Sequence, residues 1–83
     1  MRISYDKESG AFTIYLREGK PDHAEDFSKK ADVYVDVDAE GWVLSIEALS
    51  FEDLRMALEE RGGNLEIPER IGEARVKDGR FYA

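Results

Sequence analysis

Asp32-Val33-Tyr34-Val35-Asp36-Val37-Asp38-Ala39-Glu40-Gly41-Trp42-Val43-Leu44-Ser45-Ile46-Glu47-Ala48 carries the clearest periodic pattern in the chain. Val33, Val35 and Val37 alternate with Asp32, Tyr34 and Asp36. A two-residue period belongs to a strand with one apolar and one acidic face. Leu44, Ile46 and Ala48 alternate in the same way with Val43, Ser45 and Glu47. Asp38-Ala39-Glu40-Gly41 lies between the two runs and has turn composition, so the second strand returns antiparallel on the first.

The same period extends toward the N-terminus. Met1, Ile3 and Tyr5 alternate with Arg2, Ser4 and Asp6; Phe12, Ile14 and Leu16 alternate with Thr13, Tyr15 and Arg17. Asp6-Lys7-Glu8-Ser9-Gly10 joins them with hairpin chemistry. Residues 18–30 are polar, contain Gly19 and Pro21, and have room for a short edge strand at 24–27, since an edge tolerates charge. After the strands, Ser50 is placed to cap a helix, with Asp53 three residues on as a short version of a capping box. Phe51, Leu54 and Leu58 fall on one helical face, and Gly62-Gly63 ends the run. The expected fold is α+β: an antiparallel meander of four or five strands with an amphipathic helix at 51–61 on one face. That face is built from Ile3, Tyr5, Phe12, Ile14, Leu16, Val33, Val35, Val37, Leu44 and Ile46. Residues 1–61 form the domain. Residues 62–83 are either a short hairpin, turned at 77–80, or an arm that packs on the domain or on a dimer partner.

The chain has 83 residues, no Cys, one His and a formal charge of −7. That length suits one core. The absence of Cys excludes a disulfide framework, a thiolate zinc site and a cysteine nucleophile, and fits a reducing cytoplasm. No apolar run approaches the ~18 residues that a membrane span needs, and the N-terminus lacks the charge pattern of a secretory signal. An acidic chain is a poor direct ligand for nucleic acid, because phosphate binding draws on excess Lys and Arg. The imbalance is local. Residues 1–54 carry thirteen acidic and six basic side chains; residues 55–83 carry six of each.

Ile3-Ser4-Tyr5-Asp6, Ala11-Phe12-Thr13-Ile14-Tyr15-Leu16 and Gly19-Lys20 resemble the opening of a widespread family of small prokaryotic proteins. Val35-Asp36-Val37-Asp38, Glu40-Gly41, Val43 and Ile46-Glu47 resemble its second half. The family is domain of unknown function 2283, and the resemblance spans roughly residues 1–50. It implies a small β-rich domain with a helix after the strands. Some members look like antitoxin partners of small ribonuclease-type toxins. Ser45 stands where a Gly is common, and Ala48 replaces a larger aliphatic residue.

Several constellations have an ordinary reading that outweighs a chemical one. Acids at Asp36, Asp38, Glu40 and Glu47, with Gly41 at the sixth position, match the spacing of a calcium loop. The EF-hand loop sits between helices, however, and here a strand precedes it, so an acidic hairpin turn is expected and no metal or cofactor. His23 lies beside Asp22 and near Glu25, but no Ser occupies a nucleophile-elbow sequence. Nineteen acids in so short a chain make close carboxylate pairs inevitable, and so small a domain rarely builds the cleft that acid catalysis needs.

The second sheet face remains. Alternation gives it Ser4, Thr13, Tyr15, Asp32, Tyr34, Asp36, Val43, Ser45 and Glu47, with Trp42 at the rim. Aromatic anchors among acids suit a basic protein partner. The candidate partner-binding residues are Tyr15, Asp32, Tyr34, Asp36, Trp42 and Glu47. The expected function is a non-enzymatic, cytoplasmic interaction module, antitoxin-like as the resemblance implies, with no direct contact to nucleic acid or membrane. A structural or regulatory homodimer is the alternative, since a chain this small gains from sharing surface.

Overall fold

A computed structural model describes residues 1–70 of the chain and, for their backbone alone, the segments 75–77 and 80–82. The elements are β1 (Arg2–Tyr5), β2 (Phe12–Tyr15), β3 (His23–Asp26), β4 (Val33–Val37), β5 (Val43–Ala48), α1 (Phe51–Glu60), β6 (Arg75–Lys77) and β7 (Arg80–Tyr82). The first five strands form one antiparallel sheet followed by one helix, the α+β architecture read from the sequence. Their order, β1-β2-β5-β4-β3, is not the plain meander expected. After the β1–β2 hairpin the chain crosses to the far edge as β3 and comes back through β4, so β5 lies in the middle beside β2. The centre suits β5 because it is buried on both sides: Val43, Leu44, Ser45, Ile46 and Ala48 all have little exposed surface.

One irregularity changes which residues face the core. Asp36 pairs with Ser45, but Val37 pairs with Val43 rather than with Leu44. The extra residue in β5 reverses the alternation at that point. Val43, expected outside, joins the core cluster with Val33, Val35, Val37 and Ile46. Leu44, expected inside, turns to the opposite face and is buried there beneath the β2–β3 connection. The fit is close. A Cβ on Gly19 would stand 2.8 Å from Leu44 Cδ2, so glycine lets the connection lie this near without displacing the Leu44 side chain.

The helix begins as its sequence dictates. Ser50 Oγ accepts the Asp53 N–H at 3.0 Å and donates to the Asp53 carboxylate at 2.7 Å. The other Asp53 oxygen accepts the N–H of Asp32 at 3.1 Å, which ties the first turn to the start of β4. The far end is held more firmly. Phe27, immediately after β3, is fully buried. Arg61 caps the helix; its Nη2 donates to the Phe27 carbonyl at 2.6 Å, and its guanidinium carbon lies 3.8 Å over the Phe27 ring. The Glu60 carboxylate accepts from Ser28 Oγ at 3.0 Å and from the Lys30 N–H at 3.2 Å.

These ties seat α1 over β4 and β5, and that corrects two expectations. The buried helical residue is Ala57, with Leu54 and Met56 packed on the core; of the expected stripe Phe51, Leu54 and Leu58, Leu54 packs as expected and Phe51 lies open. Ala57 has the smallest side chain that keeps helix propensity, and it lets the helix lie close to the sheet. The apolar side chains of β1 are left open, so Ile3 and Tyr5 are 63% and 54% exposed; Leu16, just past β2, is 45% exposed. Phe51 is 65% exposed, and its ring stacks on Phe12 at 4.6 Å and on Tyr5 at 5.7 Å. After the helix, Leu65 and Ile67 pack against the same core, and the Glu69 carbonyl accepts the Val43 N–H at 2.9 Å. β6 and β7 pair antiparallel; residues 78–79 of the expected turn and residue 74 lie outside the described residues.

Phe27→Ala is expected to destabilise the domain by about 3–5 kcal/mol, the usual cost of emptying a buried Phe site. Urea unfolding followed by circular dichroism measures it. Leu49→Ala, at an exposed position, is expected to cost only about 1 kcal/mol or less. Equal losses at the two positions would contradict this account of the core.

Candidate functional site

The second sheet face is built by register. Ser4, Thr13, Glu47, Tyr34 and Asp26 form one cross-strand row; Arg2, Tyr15, Ser45, Asp36 and Ala24 form the next. Four of the six candidate residues, Tyr15, Tyr34, Asp36 and Glu47, therefore share one surface at fixed spacing. Asp32, just before β4, is joined to it by the Tyr34 hydroxyl, which donates to the Asp32 carboxylate at 3.0 Å. That hydrogen bond to an anion pushes the Tyr34 phenol above its ordinary pKa.

Trp42 stands at the rim. The guanidinium carbons of Arg17 and Arg70 lie over its ring at 4.1 and 5.1 Å, and Arg70 Nε donates to the Glu40 carbonyl at 3.0 Å. Across the face runs an open groove of about 790 Å³, whose lining includes Thr13, Tyr15, Asp36 and Glu47. Arg2 and Arg17 line it too, and neither was among the sequence candidates. Arg2 was legible, because strict alternation from Ile3 puts it beside Ser4. Its guanidinium carbon lies 4.0 Å over the ring of Tyr15, its cross-strand partner. Arg17 follows a change of spacing that alternation does not reveal. The Leu16 and Arg17 N–H groups both donate to the Leu44 carbonyl, at 2.8 and 3.1 Å.

The carboxylates of the loop with calcium-like spacing do not converge. Asp38 Oδ1 accepts the N–H groups of Glu40 and Trp42 at 3.0 and 2.9 Å, which closes the turn. Asp36 accepts from Ser45 Oγ at 2.7 Å on the sheet face, and Glu47 lies in the other cross-strand row. Among the described residues, no group of three or more His, Cys, Asp or Glu side chains is arranged to hold a metal ion.

His23 has a defined environment of its own. Nδ1 meets Asp22 at 2.9 Å and Nε2 meets Glu25 at 2.9 Å. With a carboxylate on each nitrogen, the imidazolium can donate twice, and its pKa rises above the ordinary 6.5, mainly through the Asp22 and then the Glu25 hydrogen bond. In this arrangement each ring nitrogen has a carboxylate partner. Among the described residues, no helix is long and apolar enough to cross a membrane.

An NMR titration of His23 is expected to give a pKa above 6.5, and Asp22→Asn is expected to lower it. A pKa raised in the folded state adds stability that is complete below the unfolded value and is lost as pH rises through the folded value. The wild-type unfolding midpoint should therefore fall over that window, and less so in the variant. A His23 pKa at or below 6.5 would refute the paired geometry.

No curated protein and no solved structure matches the chain. A family model described as protein of unknown function (DUF2283) matches residues 2–51. That span takes in β1 to β5, the groove and Ser50 at the helix cap, and leaves out the Glu60–Arg61 attachment. Most of the chain falls within the match, and the protein belongs to the DUF2283 family.

Proposed function

We propose that this domain is a non-enzymatic protein-interaction module whose outer sheet face receives a basic protein partner in the cytoplasm. One observation carries the reading: register gathers Tyr15, Tyr34, Asp36 and Glu47 on a single rigid surface around an open groove. Such a groove does not enclose a small substrate, but it admits side chains of a partner. Aromatic rings supply contact area at little entropic cost, and carboxylates attract and orient a cationic surface. A partner whose own ligand is RNA would meet carboxylates where phosphates otherwise lie, which is how an antitoxin-like member would occupy a ribonuclease-type toxin. The formal charge of −7 supports a protein partner over direct binding to nucleic acid or to an anionic membrane surface.

The second reading, a structural or regulatory homodimer, is favoured by a different feature. β1 is an edge strand with all four residues exposed, and α1 does not cover it.

Affinity capture from a prokaryotic lysate at low and high salt tests the first reading. A basic protein is expected at low salt, recovered less well at high salt, and lost with the double variant Asp36→Asn/Glu47→Gln. Capture that salt does not weaken, or no capture at low salt, would rule out the electrostatic surface.

A further inference from the structure

The open edge of β1 has a self-complementary sequence. The Asp6 N–H donates to the Ala11 carbonyl and the Asp6 carbonyl accepts from Gly10, both at 2.8 Å, so the polar backbone groups of Asp6 point into the hairpin. In an antiparallel ladder this direction alternates along the strand. The groups of Arg2 and Ser4 then also point to β2, and those of Ile3 and Tyr5 point outward. The other side of β2 agrees. The Leu16 N–H points to β5, so Phe12 and Ile14 bond toward β5, and Thr13 and Tyr15 toward β1. Among the described residues, nothing pairs with the outer edge of β1. It presents two N–H and two C=O groups to the surroundings, an arrangement that invites another strand.

We infer that the occupant is the β1 strand of a second copy, antiparallel and centred on Ser4. This inference rests on the homodimer reading and names its surface. In that register Ile3 of each copy faces Tyr5 of the other, and the outward groups of these two residues make four hydrogen bonds across the two-fold axis. Arg2 of each copy faces Asp6 of the other, so opposite charges meet twice. Arg2–Asp6 is then the pair type without backbone bonds, in which side chains stand closest. On the helix side, the exposed Ile3, Tyr5 and Phe51 of the two copies lie side by side and cover one another. The result is a continuous ten-stranded sheet, with Arg2 separating the carboxylates of the two outer faces.

The opposite edge does not offer this. β3 reads His23-Ala24-Glu25-Asp26, with Asp22 just before it, so self-pairing there would bring carboxylates together. Neighbouring registers of β1 are poorer as well. Centring on Ile3 leaves Asp6 beyond the paired strands, and centring on Tyr5 places Lys7 against Ile3.

Sedimentation velocity on the full chain tests the assignment, with circular dichroism confirming that each variant keeps its sheet. Wild type is expected to sediment as two chains. Arg2→Glu or Asp6→Lys alone is expected to weaken association roughly tenfold or more, because symmetry applies each like-charge contact twice. An equimolar mixture of the two variants is expected to restore the dimer, since every charge then meets its opposite. Ile3→Pro removes an outward N–H, leaves the ladder to β2 intact and is expected to give a folded monomer. A monomeric wild type overturns both the homodimer reading and this surface. A dimer that all three variants leave unchanged overturns the β1 surface alone. Loss in both charge variants without recovery in the mixture overturns the register.

Discussion

The attachment of the helix end to Phe27 sets the rest of the domain. A ten-residue helix over a five-stranded sheet can cover only part of one apolar face. The Phe27 ring, the Arg61 guanidinium above it and the Glu60 carboxylate bonded to Ser28 and Lys30 choose the part over β4 and β5. Burying a charged pair requires that its hydrogen-bonding capacity be met, and here it is met by backbone and hydroxyl groups that exist only in this seat. The helix therefore cannot slide toward β1 without stranding them. The open apolar strip of Ile3, Tyr5 and Phe51 is the direct consequence.

Two surfaces follow, and they differ in kind. The outer face is covered in part by its own chain, through Gly19 over Leu44, and presents fixed polar groups around an open groove. The β1 edge presents backbone groups and apolar side chains. The first suits recognition of a charged stranger; the second suits a copy of itself. They share Arg2, which lines the groove and would pair across the β1 joint, while Tyr34, Asp36 and Glu47 lie on strands inside the sheet, away from that edge. Joining two copies doubles the surface available to a partner, and a partner with two matching patches would gain avidity from it.

Much of the scaffold was legible in the residues. Val33, Val35 and Val37 alternate without interruption, and all three are fully buried. Ser50 and Asp53 announced the helix start, and the start is where they put it. The outer face was legible to the same extent, because register carries Tyr15, Tyr34, Asp36 and Glu47 to one side once the strands are right. Three things were not. The bulge between β4 and β5 exchanges Val43 and Leu44, and no local composition marks it, since both residues are apolar and suit either side. Phe27 was legible only as the end of a short edge strand, because its partners in the core and Arg61 lie far along the chain. The central place of β5 could not be read from strand spacing, which suits a meander equally well.

Periodicity, caps, turns and the sign of the surface charge are legible in the residues alone. These depend on neighbours within a few residues, where the geometry of strand and helix is fixed by the backbone. Which strands lie side by side, and which apolar residues the helix covers or leaves open, emerge only when the whole chain packs. Those outcomes depend on contacts between distant segments competing for one small core, and a helix three turns long cannot satisfy every apolar side chain that alternation assigns to its face.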